Sequence, residues 1–265
     1  MSPSPTRVLL ASSLLLAAGT AHAQTTFHLG PQLGALAATA HYTDQGFFLG
    51  DDNHAWRTSY RAGFEAGLVG SLAAGHWAVQ PGLLFSQKGF TQTNGFAKNG
   101  VAGATRYDAE RDFTFSYLTL PLHLAYHLRP DGQGLHVFAG PYASWLLDGR
   151  YHTNERSVTA SVGTPLLNQW TGNVVGSGPE LTLSATPDYT RNFYARRFDA
   201  GLQAGLGYRA GQWLLRASYT QGLCDQGIRY FIGTPGSSGR AQVARYSYYH
   251  QAFQLSVAYL LRLKG

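Results

Sequence analysis

The fold class predicted for this chain is all-β: an eight-stranded antiparallel transmembrane β-barrel with short periplasmic turns and long extracellular loops. Three observations predict it. An export segment opens the chain, eight later segments alternate apolar and polar residues, and the connections between those segments are alternately tight and long.

The export segment occupies residues 1–23. Arg7 supplies the positive charge, residues 8–18 form an apolar run, and Ala21-His22-Ala23 is a small-x-small cleavage site. The run is about 11 residues, whereas a spanning helix needs about 20. Residues 24–265 are then expected to form one outer-membrane barrel domain, exported through a cleaved signal peptide. No later stretch is long and apolar enough for a membrane helix, so a membrane role has to come through strands.

The last segment shows the alternation best. In residues 253–264, Phe253, Leu255, Val257, Tyr259, Leu261 and Leu263 take one face, and Gln254, Ser256, Ala258, Leu260, Arg262 and Lys264 the other. The same pattern runs through residues 60–72, 77–88, 113–128, 197–208 and 213–223. It is weaker in residues 27–40 and 136–148, which are rich in Gly and Ala. Within 113–128, Leu118, Leu120, Leu122, Leu124, Tyr126 and Leu128 oppose Thr119, Pro121, His123 and His127.

The connections separate into two kinds. Residues 73–76, 129–134 and 210–212 are short and rich in turn formers. Residues 41–58, 91–112, 149–196 and 224–247 are long. Strict alternation of short and long is the layout of an outer-membrane barrel, with both termini on the periplasmic side. Trp77, Trp213 and Tyr208 lie beside short turns, as an inner aromatic girdle would. Tyr60, Phe90, Phe113 and Tyr219 lie toward the long loops, as an outer girdle would.

Composition fits an exported β protein: aromatic residues are 13% and charged residues only 13%, against about 25% charged in ordinary soluble domains. The net charge is +6, but Lys and Arg are scattered rather than striped, so no nucleic-acid partner is expected. The expected partners are outer-membrane lipid and lipopolysaccharide, with a protein partner conceivable through the long loops. The single Cys224 excludes an internal disulfide and multi-cysteine metal frameworks. No cofactor or metal is implied.

The strand sequences carry a family resemblance. Residues 117–126, Tyr117-Leu118-Thr119-Leu120-Pro121-Leu122-His123-Leu124-Ala125-Tyr126, resemble the "YLxIPLLLKY" strand of the Bacteroidota outer-membrane β-barrel domain family, which includes PorT-like proteins. Residues 137–142 resemble its next strand, and residues 198–208 and 216–223 its closing half. The resemblance implies a barrel of about eight strands. For most members it implies no assigned activity, and for a few a part in secretion of other proteins. It carries over no ligand or catalytic residue. The chain departs from many barrels in ending Leu263-Lys264-Gly265 without a terminal aromatic, so Tyr259 and Phe253 would have to serve in insertion.

An eight-stranded barrel is about wide enough for side chains alone. The polar faces place Gln32, Arg61, Glu65, Gln80, His123, Asp199, Gln203, Arg216, Gln254 and Arg262 in the lumen. Buried charge needs a partner, so Glu65 is expected near arginines, Arg61 or Arg216 first. These features favour a structural or interaction barrel with a filled lumen, in a surface or secretion-accessory role. A narrow porin-like channel is the alternative. A surface-loop enzyme, protease or lipid hydrolase, ranks third: Asp108, Glu110 and Asp112 form an acidic cluster, but no partner histidine is fixed and no G-x-S-x-G motif occurs. The expected reading is therefore not an enzyme. In the third long loop, Trp170, Tyr189, Phe193 and Tyr194 suit either recognition of a sugar or protein or a lid folded over the barrel mouth, and the lid is preferred.

Overall fold

The computed structural model describes residues 26–44, 57–100, 103–183, 192–232 and 241–263. The export segment, Tyr189 and Lys264 lie outside these described residues. The described chain is strand and turn. In order the strands are β1 (Thr26–Asp44), β2 (Arg57–Ala74), β3 (Trp77–Gly100), β4 (Gly103–His127) and β5 (Gly134–Thr159). Then come β6 (Pro165–Ser177), β7 (Glu180–Leu183), β8 (Asn192–Arg196), β9 (Phe198–Ala210) and β10 (Trp213–Gly222). The last four are β11 (Arg229–Ile232), β12 (Ala241–Arg245), β13 (Ser247–Tyr259) and β14 (Leu261–Leu263), the last of these continuing the β13 segment along β1.

All eight alternating segments are strands, each paired antiparallel on both sides. β1 pairs β2, β2 pairs β3, β3 pairs β4 and β4 pairs β5. The path continues from β5 to β9, β10 and β13, and from β13 back to β1. Two of the short connections are tight hairpins led by Gly75 and Gly211, at φ 59° and 61°. Positive φ at this position suits the twist of a two-residue hairpin and favours glycine.

The period-two reading predicts the phase of the sheet. Leu118, Leu120, Leu122 and Leu124 are exposed on one face of β4, as is Leu128 just past its end, while Tyr117, Pro121, His123, Ala125 and His127 are buried on the other. Leu202 and Leu206 on β9, Leu215 on β10, and Phe253, Leu255 and Val257 on β13 join the same outward apolar face.

Two expectations need correction. The long connections are not loops throughout: residues 91–112 continue β3 and β4 as a hairpin reaching Gly100 and Gly103, and β5 runs on to Thr159. The antiparallel ladder satisfies backbone groups wherever it runs, whereas the alternation signal fades once both faces are polar. Phe90 and Phe113 are not outer girdle residues; they are 0% and 1% exposed. Each has the parity of an inward residue, Phe90 with Gln80 and Lys88, Phe113 with Tyr117 and His123. Height along a strand does not override that parity.

Beyond the long strands lies a cap. β6 pairs with the end of β5, β8 runs parallel to β6, and β7, β11 and β12 form a small separate sheet. Ile228 and Tyr230 form its apolar centre, with Leu181, Tyr194 and Tyr246 against them. Burial pushes the Tyr246 phenol above its ordinary pKa, so it acts as a neutral group there.

Candidate functional site

The candidate site is the interior enclosed by the paired strands, and its side chains fall into three layers. Nearest the tight turns are His28, His127, His136 and Arg209, all buried. Gly207, opposite His136 in register, leaves room for that ring: a Cβ there would meet His136 Cε1 at 2.2 Å. Gly207→Ala is therefore expected to cost about 1–3 kcal/mol by overpacking. A urea titration of folded protein checks this, and His136→Ala in the same chain should recover most of the loss.

The middle layer is polar and tied across the interior. Arg216 Nη2 donates to His123 Nδ1 at 2.8 Å, so His123 carries its proton on Nε2 and donates to Gln203 Oε1 at 2.9 Å. Gln203 Nε2 donates to Ser218 Oγ at 2.8 Å and to Gln254 Oε1. The Arg216 guanidinium also lies 4.1 Å from the Phe138 ring centroid, a cation–π contact. Gln32 Nε2 donates to Glu65 Oε1 at 2.8 Å. Gln80 is buried here as well.

Higher up, Lys88 Nζ meets Asp199 Oδ2 at 2.8 Å, with side-chain exposures of 8% and 0%. Tyr142 Oη donates to the same carboxylate oxygen at 3.2 Å, and the Lys88 ammonium sits 4.5 Å from the Tyr117 ring centroid. Tyr117 Oη and His250 Nε2 are 3.2 Å apart. Lys88 to Asp199, His123 to Gln203 and Tyr117 to His250 join strands that are not neighbours in the sheet. They hold opposite walls together.

The third layer is aromatic. Phe90, Phe113, Phe115, Tyr117, Tyr151 and Tyr248 form one buried cluster, with Leu146, Val174, Ala40 and Ala195 filling between them. Rings stack and tilt in series: Phe90 on Phe113 at 4.8 Å, and Phe113 on Phe193 at 4.7 Å. Such offset and edge contacts suit ring quadrupoles.

Most of the lumen set meets in these layers: Glu65, Gln80, His123, Asp199, Gln203, Arg216 and Gln254, with Gln32. Two residues do not belong to it. Arg61 lies where a register shift between Tyr60 and Phe64 breaks the alternation of β2, and its Nη1 pairs with Asp112 at 2.8 Å. Arg262, in β14, stands opposite His28 at the turn end, and its side chain is exposed there. Glu65 thus meets Gln32 first; Arg216 is near enough to act on it electrostatically, and Arg61 is committed elsewhere.

The loop recognition set is also redistributed. Trp170 and Phe193 pack against the aromatic cluster, and Tyr194 packs into the cap beside Tyr230 at 6.3 Å. All three are half-buried. Lys88, Tyr142, His250 and Arg209 also line the interior, beyond the set the sequence suggests. Lys88 stands on the polar face of its strand, which is the signal that points to it.

Outside this interior, the extended strands carry a depression of about 670 Å³ lined by Arg57, Thr93, Asp108, Glu110, Asn154, Glu155, Arg156 and Gln169, among others. The acidic cluster of β4 borders it. Asp112 is tied to Arg61 and Thr91, and Asp108 to Arg106 at 3.1 Å. His152, cross-strand from Asp112, is bonded on both ring nitrogens, to Thr171 and Asn154.

An all-β chain whose strands pair around a packed polar and aromatic interior, with leucines outward, belongs to the class of outer-membrane β-barrels. The model of the outer membrane protein beta-barrel domain family matches residues 22–226, and the chain belongs to that family. Among solved structures it is similar to the outer membrane protein OprG from Pseudomonas aeruginosa, at 12% identity and a TM-score of 0.37, covering 91% of this chain and 98% of that one. It is also similar to Neisserial surface protein A, at 11% identity and a TM-score of 0.31, covering 87% and 96%. A third is the outer membrane protease OmpT from Escherichia coli, at 8% identity and a TM-score of 0.37, covering 89% and 97%. No curated protein sequence matches the chain significantly.

Proposed function

We propose that this protein is an eight-stranded transmembrane barrel whose lumen is filled by its own side chains, and that it acts as a structural or interaction barrel rather than as a channel or an enzyme. The observation that carries this reading is the cross-lumen filling. Phe90, Phe113, Phe115, Tyr117 and Tyr248 are 0–1% exposed, and the Lys88–Asp199 pair lies beneath them. A water-filled pore needs a continuous polar path, and an aromatic layer interrupts one.

The outward leucines support the membrane placement. From Leu118 to Leu128 the exposed face of β4 covers about 10 residue steps; at about 3.3 Å each and a tilt of about 40° this is about 25 Å, the height of an outer-membrane apolar band. Trp77 with Tyr126, and Trp213 with Tyr259, sit at the turn end of that band. Tyr60 and Tyr219 flank Phe253 at the other. The turn end is then periplasmic, and the extended strands and cap stand outside the cell. Exposed Arg57, Arg150, Arg156 and Arg197 above the band suit lipopolysaccharide phosphates. The cap and the depression beside it are the surfaces a protein partner would meet, in a surface or secretion-accessory role. The strand motif of residues 117–126 supports a place in the Bacteroidota, PorT-like branch.

Planar-bilayer recordings of the purified full-length protein test the reading. The expected record shows no stable single-channel steps. Sustained openings of porin size would overturn it.

A further inference from the structure

The histidine layer at the turn end is short of partners. His127 and His136 face each other in register on β4 and β5, with ring centroids 4.5 Å apart. They are 2% and 0% exposed; neither ring nitrogen of His127 has a hydrogen-bond partner among the described residues, and His136 has at most the Gly134 backbone near it. His28 Nδ1 is likewise buried without a partner among the described residues. An unmade bond on a buried polar atom costs about 1–3 kcal/mol, so several together at one place call for a polar occupant.

Charge says what kind of occupant. Arg209 is buried and within electrostatic reach of His28, His127 and His136. Its one hydrogen bond among the described residues runs from Nε to Gly211 O at 3.1 Å. Arg262 acts on His28, and Arg216 on His136, with the same sign. His76 lies beside His127, its Nδ1 occupied by the His127 carbonyl at 2.8 Å. The acid within reach is Asp131, which sits on the exposed turn and is paired with Arg129 at 3.0 Å. Asp131 is the carboxylate that acts on the Arg209 charge, and it does so without a direct ion pair among the described residues. A metal ion would add to that excess of positive charge, and no group of three or more His, Cys, Asp or Glu among the described residues is arranged to hold one.

We propose that this layer is a binding site for a small oxyanion, a carboxylate or a phosphate, held by Arg209 with N–H donors from His127 and His136. Each imidazole can turn a protonated nitrogen toward the anion, and charge-assisted bonds of this kind are the strong ones. The site lies under the two turns joined by Gln133, whose amide donates to Gly211 O at 3.4 Å and accepts from Gly211 N at 2.8 Å. The ligand therefore enters at the turn end of the barrel. The site is independent of the filled-lumen reading, since a conducting barrel would keep it.

The test is a titration of the full-length protein in micelles, following the imidazole signals by NMR at constant ionic strength set with chloride. Inorganic phosphate and acetate are added in separate arms. Expected is saturable movement of the His127 and His136 signals in at least one arm, and the stronger arm tells a tetrahedral source from a planar one. Arg209→Gln should weaken binding about tenfold or more, which is about 1.4 kcal/mol. Arg106→Gln, on the exposed hairpin at the far end of the strands, should leave it unchanged. If Arg209→Gln does not fold, Arg209→Lys should fold and bind more weakly than the parent. No saturable movement in either arm, equal movement in Arg209→Gln, or saturation by zinc chloride with no response to phosphate or acetate would overturn the proposal.

Discussion

Replacing Asp199 with Asn is expected to lower the unfolding free energy by about 3–5 kcal/mol, because it leaves the Lys88 ammonium buried without a counter-charge. The ammonium has little water to fall back on: its side chain is 8% exposed, and its other neighbours are the rings of Tyr117 and Tyr142 at 4.5 and 5.3 Å. The amide would retain a bond to Tyr142 Oη, so packing changes little and the lost charge dominates. The double variant Lys88→Met with Asp199→Leu should recover most of the loss, since apolar side chains of similar volume can replace a buried pair at little cost. Urea unfolding in lipid vesicles reads both variants. An Asp199→Asn protein with the parent midpoint would show that the pair does not hold the walls together. The exposed pair Arg106–Asp108, with side chains 73% and 43% accessible, is expected to show no comparable dependence.

The second large effect lies on the opposite face. Leu122 is 50% exposed and near the middle of the outward band on β4. In hydrocarbon, Leu122→Arg should cost about 2–4 kcal/mol, the penalty for a cation at the bilayer midplane of a barrel. On the same strand Thr114→Arg, above the band, should cost about 1 kcal/mol or less. A water-soluble barrel would behave otherwise, taking arginine at a half-exposed leucine within about 0.5 kcal/mol. Equilibrium folding into vesicles separates the two cases. A neutral Leu122→Arg would remove the membrane placement.

Much of the fold was legible in the chain because one signal, period-two alternation, reports a local quantity: which face of a ribbon each side chain takes. That signal correctly placed Leu120, Leu202 and Leu255 outward and Glu65, His123, Asp199 and Arg216 inward. It failed where local rules are interrupted. The register shift in β2 took Arg61 to Asp112, and the extensions of β3, β4 and β5 read as loops because polar residues stand on both their faces. For Phe90 and Phe113, height along the strand suggests a girdle, whereas parity, also visible in the chain, points them inward.

What lay beyond the sequence was who meets whom. Lys88 and Asp199 are 111 residues apart, and His123 and Gln203 are 80 apart. Each could be assigned to the interior from its own strand. Their pairing depends on strand order and stagger around the ring, which set the height at which a side chain from one wall faces another. The sequence alone determined the strands, their inward and outward faces and the alternation of turns. The tertiary structure alone decided that the interior is stacked as a histidine layer, a cross-tied polar layer and an aromatic layer, because contact across a lumen is a property of the closed sheet and not of any one strand.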